Sequence, residues 1–150
     1  MRTLILIVSF SLLGLALSGC GQKRPANQVE AAQKAIAALE KVAAATETAR
    51  NYDEYATIVI DAKTRMDRAA IGLPSDEFYQ EISSAMKAYI DAGLAWDALN
   101  TRQFQEWYLL AAKYSIPPNP DQTTNQKEIL KTIWADARRH LDRASALLKQ

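Results

Sequence analysis

Glycine and proline usage is the tightest constraint on what this chain can fold into. From residue 27 onward there are only two glycines, Gly72 and Gly93, and the prolines are confined to Pro74, Pro117, Pro118 and Pro120. Both residue types break helices, and here nearly all of them fall between segments that carry helical periodicity in an alanine-rich background. Apolar residues recur at alternating spacings of three and four, which gathers them on one helical face. The first such seam is Val29, Ala32, Ile36, Leu39 and Ala43, and the second is Tyr52, Tyr55, Val59, Ala62, Met66 and Ala69. The third is Phe78, Ile82, Ala85, Tyr89, Ala92, Trp96 and Leu99, and the last is Leu130, Trp134, Ala137, Leu141, Ala144 and Leu148. The fold class this predicts is all-α, an antiparallel up-and-down helical bundle of four helices, or of three long helices if the first two are fused.

Helix boundaries follow from cap chemistry. Asn27 with Glu30, and Asn51 with Asp53 and Glu54 close behind, resemble the starts of helices, with a tight turn expected around residues 48–51. Gly72 and Pro74 close the second helix, and Ser75 starts the third with Asp76 and Glu77 in its first turn, where carboxylates complement the helix dipole. The third helix is expected to bend at Asn100-Thr101 and then to continue through Phe104, Trp107 and Ala111 to Tyr114. After the proline-rich segment 115–122, a cap at Thr123, Thr124 or Asn125 begins the last helix. Gly93 is expected to let two helices approach closely, at a cost in helix propensity of about 1 kcal/mol.

The N-terminus has a different character. Met1-Arg2 is followed by an apolar run from Leu4 to Leu17, interrupted only by Ser9, Ser11 and Gly14. A membrane-crossing helix needs roughly 20 apolar residues, so this shorter run, closing on small residues, reads as a secretory signal. Its end, Leu17-Ser18-Gly19-Cys20, closely resembles the bacterial lipobox. That resemblance implies a diacylglycerol on Cys20, cleavage between Gly19 and Cys20, and a membrane partner held through covalent lipid. An ordinary signal peptide with a chance cysteine, or an uncleaved N-terminal anchor, are the alternatives, and both still take the domain out of the cytoplasm. The resulting organisation is a signal peptide at 1–19, a lipidated cysteine and short linker at 20–26, and a helical domain at 27–150. By resemblance to enterobacterial sorting, Gly21 in place of an aspartate implies the outer membrane, facing the periplasm, where the host is Gram-negative.

Cys20 is the only cysteine, so the mature domain is expected to have no thiol for a disulfide, a metal or catalysis. Residues 20–150 carry 17 basic residues, since Arg2 is one of the 18, against 17 acidic ones. That balance gives no electrostatic footprint for nucleic acid. His140 is the only histidine, which removes most metal and general-base constellations, and no Walker or glycine-rich nucleotide motif is present. No catalytic residue, metal ligand or cofactor is therefore expected. The sharpest cofactor alternative is a haem held by His140 with Met66 or Met86, against a plainer pairing of His140 with Asp136 four residues earlier. Trp96, Phe104, Trp107, Tyr108 and Tyr114 form an aromatic group of the kind enriched at interfaces, a candidate surface for a protein partner in the envelope. The function these observations point to is a membrane-anchored envelope lipoprotein with a non-catalytic domain, protein-binding or structural. The alternative is a carrier of haem or an apolar molecule.

Overall fold

A computed structural model describes residues 24–116 and 125–149. They form five helices: α1 (Ala26–Thr48), α2 (Tyr52–Ala70), α3 (Glu77–Thr101), α4 (Phe104–Lys113) and α5 (Asn125–Leu148), with no strand among the described residues. The expected helical bundle is present, with five helices instead of four. The segment Phe104–Lys113, expected as a bent continuation of the third helix, is a separate element.

That break has a local cause. Arg102 adopts the left-handed conformation (φ 58°), and Gln103 N–H donates to the Ala98 carbonyl at 2.8 Å, closing α3 with a Schellman-type turn. The same closure recurs after α4, where Ser115 has φ 54° and Ile116 N–H donates to Ala111 O at 2.9 Å. Neither position is the glycine that usually marks such a turn in a sequence.

Other ends follow the sequence more closely. Asn51 caps α2, its side chain accepting from Glu54 N–H at 3.0 Å, so α1 and α2 are separate helices. Glu54 reaches back to Arg50 N–H at 3.0 Å. The first helix begins earlier than its expected cap: Pro25 occupies the N-cap and its carbonyl accepts from Gln28 and Val29, while Glu30 pairs with Lys34 at 2.6 Å. Asp76, not Ser75, caps α3, accepting from Tyr79 N–H at 3.0 Å through one carboxylate oxygen. Its other oxygen accepts from Arg24 at 2.6 Å. Of the caps expected for α5, Thr123 and Thr124 lie outside the described residues.

The helices α3 and α5 run antiparallel. Glu81, early in α3, meets His140 late in α5, whereas Trp96 near the end of α3 meets Trp134 early in α5. Tyr55 at the start of α2 donates through its hydroxyl to the Tyr89 carbonyl of α3 at 2.9 Å. The most extensive contacts are within the pairs α3–α5 and α1–α2, and α4 packs on α3.

Large buried side chains (Leu39, Val42, Tyr55, Phe78, Ile82, Met86, Tyr89, Ile129, Ile133, Leu141) form the core. Alanines fill its close contacts, among them Ala32, Ala35, Ala38, Ala85, Ala92 and Ala95. The α2 seam is buried as expected apart from half-buried Tyr52. In α1 the buried stripe is shifted: Ala35, Ala38, Val42 and Ala45 join Ala32 and Leu39, while Val29, Ile36 and Ala43 are half-buried. Alanine is small and apolar on several faces of α1, so the bulk of the neighbouring helices decides which face is covered. Gly93 does lie against α2, but a Cβ there would meet Tyr55 Cε1 at 3.6 Å, an ordinary van der Waals contact.

Candidate functional site

A polar cleft of about 580 Å³ opens between the middle of α3, the end of α4 and α5. Ser84, Lys87 and Ala88 line it from α3, and Thr132, Ala135, Asp136, Arg139 and His140 from α5. Lys113, Tyr114 and Ser115 close it where α4 ends.

Behind Lys113 and Tyr114, on one side of the cleft, lies Asp91. It lies on the strip Ala88, Asp91, Ala95 and Ala98 of α3, surrounded by alanines, and is 7% exposed. A buried carboxylate is costly unless it is paired and hydrogen-bonded, and both conditions are met. Asp91 Oδ2 accepts from Lys113 Nζ and from the Tyr114 hydroxyl at 2.7 Å. Burial and the adjacent Asp91 carboxylate hold the Tyr114 hydroxyl well above the ordinary tyrosine range, so it stays a neutral donor.

His140 anchors the other side. Its Nδ1 lies 2.5 Å from Glu81 Oε2, and its Nε2 is 3.7 Å from Asp136 Oδ2. Arg139 pairs with Asp136, and Arg143 lies 3.8 Å from Glu81. The sequence pointed to Asp136 as the partner of His140, but the closer partner is Glu81, 59 positions away on α3. Met66 and Met86 are buried core residues and neither lines the cleft beside His140. Among the described residues, no group of three histidine, cysteine, aspartate or glutamate side chains is arranged to hold a metal ion.

Around the cleft, charged pairs join helices. The Asp91 network ties the end of α4 to α3, and the Glu81–His140 pair ties α3 to α5. Sequence reasoning missed Asp91 and Glu81. For Asp91 a signal existed, a lone acid on an otherwise all-alanine strip. Glu81 looks like any solvated helix residue.

The aromatic group is divided among several environments. Half-buried Trp96 packs with Tyr55 and Trp134 at centroid distances of 5.7 and 6.0 Å, and Tyr55 with Trp134 at 5.9 Å. Trp134 Nε1–H donates to the Tyr55 hydroxyl at 3.2 Å. Trp107 is buried under α4 and makes an edge-on contact with Tyr108 at 5.0 Å. Tyr114 belongs to the Asp91 network. Phe104 begins α4, and its side chain lies outside the described residues. Tyr108, 47% exposed, faces solvent together with its neighbour Leu109, 67% exposed, which the sequence reading did not single out.

Gly19 and Cys20, the expected cleavage and lipidation positions, lie outside the described residues. Among those described, no helix is long and apolar enough to cross a membrane. No family model matches the chain, and the searches of curated proteins and of solved structures likewise give no match.

Proposed function

We propose that the chain is an envelope lipoprotein, cut before Cys20 and held on the membrane by acyl chains on that residue, with a non-catalytic bundle that binds another protein or supports an envelope assembly. The observation that carries this is Leu17-Ser18-Gly19-Cys20 closing an apolar run too short to span a bilayer. One acyl chain gives marginal binding and two give stable anchoring, so a diacylated Cys20 keeps the domain at the surface. The outer membrane is the proposed location in a Gram-negative host. In the same reading, the four long helices form an up-and-down bundle and α4 is an excursion between the third and fourth.

A non-catalytic role is favoured by how the ionisable groups of the cleft are used. The His140 imidazole that lines it and the buried Asp91 carboxylate behind it hold helices together through Glu81, Lys113 and Tyr114. The exposed pair Tyr108 and Leu109 on α4 is the proposed contact for a protein partner. The decisive test is the intact mass of membrane-extracted protein beside a Cys20→Ala variant. A wild-type chain starting at Cys20 with added acyl mass, and a variant lacking both cleavage and lipid, supports the reading. An unacylated wild-type chain, or one cut elsewhere, overturns it.

A further inference from the structure

From the way the tether joins the bundle, we infer that the end carrying the α2–α3 turn is a membrane foot: Ile71 inserts into the phospholipid surface and the cationic rim beside it contacts lipid headgroups. The inference rests on the lipoprotein reading above and adds the orientation of the domain and the surface that meets lipid.

Three observations converge. Arg24 is fixed to the bundle, donating to Asp76 at 2.6 Å with its guanidinium 4.9 Å over the Phe78 ring. Cys20 is four residues before it, so the acylated residue can lie at most about 14 Å from this end of the bundle. The end so tethered carries Ile71, 88% exposed, the most exposed of the large hydrophobic residues described. Gly72 sits against Ala31 of α1, which places the turn beside the tethered start of that helix.

Charge supplies the third argument. A groove of about 660 Å³ runs from Ile71 between α1 and α2, and the cations Lys34, Lys41, Arg65 and Arg68 line it against one carboxylate, Glu30. Lys34 is paired with Glu30 and Arg65 with Asp61, and Lys41 lies ten residues along α1 from Ala31, about 15 Å from the turn, which leaves Arg68, three residues before Ile71, as the cation at the foot without an ion pair among the described residues. An exposed apolar residue beside a cation is the composition of interfacial anchors. Asp91, where α4 ends, lies 14 positions along α3 from Glu77, about 21 Å farther from the foot at 1.5 Å per residue. The Tyr108–Leu109 face of α4 is thereby held away from the lipid.

The acylated full-length protein tests this, because with Cys20 modified an introduced cysteine is the one free thiol. Ile71→Cys and Leu109→Cys variants are labelled with an environment-sensitive nitrobenzoxadiazole dye and reconstituted into phosphatidylethanolamine–phosphatidylglycerol vesicles. The expected result is a several-fold rise and blue shift of the position-71 signal, quenched by nitroxide lipid, with position 109 unchanged. Charge reversal of Arg68 is expected to shrink the rise. A water-like signal at position 71 in protein whose mass shows acylated Cys20 overturns the foot and leaves the lipoprotein reading standing. Equal quenching at both positions means the bundle lies on its side and also overturns it. A mass without acyl groups removes the tether, and the foot falls together with the lipoprotein reading.

Discussion

Two buried tyrosines make opposite use of their hydroxyls. Tyr55 donates to the Tyr89 carbonyl and accepts from Trp134, so its hydroxyl joins α2, α3 and α5 at one point. The Tyr89 hydroxyl is buried with no hydrogen-bond partner among the described residues. Stripping a partner from a buried polar group costs about 1–3 kcal/mol, whereas removing an unpartnered one relieves a penalty. Urea unfolding should therefore show Tyr55→Phe destabilised by about 1–3 kcal/mol and Tyr89→Phe unchanged or more stable; equal losses would contradict this account. Both hydroxyls, together with that of Tyr114, also set the alkaline limit. Burial pushes Tyr89 up to about 12 and Tyr55 well above the ordinary value. An unfolded tyrosine ionises near 10, so above that pH the unfolded state has shed protons that the folded state keeps. Stability is thus fully present below pH 10 and falls as pH rises from about 10 toward 12. Tyrosinate absorbance at 295 nm should rise cooperatively with loss of helical circular dichroism in that window, and the loss should begin at higher pH in Tyr89→Phe.

At the scale of elements, α4 depends on a few contacts. It packs on α3 through Trp107 and Ala111, and its far end is held by Lys113 and Tyr114 on Asp91. Replacing Asp91 by alanine removes that hold while Lys113, 42% exposed, regains water. Hydrogen exchange should then accelerate several-fold across residues 105–113 and stay near wild-type in α1 and in the Glu81–His140 part of α3 and α5. Uniform acceleration would mean that Asp91 stabilises the whole bundle, not α4 in particular. The existence of the long helices was legible because their seams use large residues at strict spacing, as in Phe78, Ile82 and Tyr89. The α1–α2 turn was legible because asparagine advertises a cap. The α3–α4 break was not, since Arg102 in a left-handed conformation leaves no mark in the sequence and the amphipathic pattern runs on through Trp107. The candidate site was legible to the same degree: His140 could be named, but Glu81 and Asp91 matter through contacts 59 and 22 or 23 residues away, which no local pattern encodes.

Across the whole molecule, α1 packs most extensively against α2 and also against α5 and α3, and the side chains it buries are mainly small. Small residues let the helix axes approach, so the size of alanine at these positions, and not only its polarity, sets how α1 fits against its neighbours. That requirement is hard to read in advance: alanine occurs on the exposed face of α1 as well, as at Ala44, and the sequence alone assigned the buried stripe one face away. A matched pair of substitutions on this one helix separates size from helix propensity. Ala35 is fully buried and Ala44 is exposed, and alanine to leucine changes intrinsic propensity by nearly the same small amount at either place. Ala35→Leu must insert bulk into a filled interface, for which overpacking costs of about 1–3 kcal/mol are typical. Ala44→Leu should leave stability within about 0.5 kcal/mol of wild-type, as most surface substitutions do. Chemical denaturation of both variants checks the difference. A tolerated leucine at Ala35 would mean that α1 can shift away from its neighbours at little cost, and the close approach inferred from the alanines would then be a consequence of composition rather than a requirement of the fold.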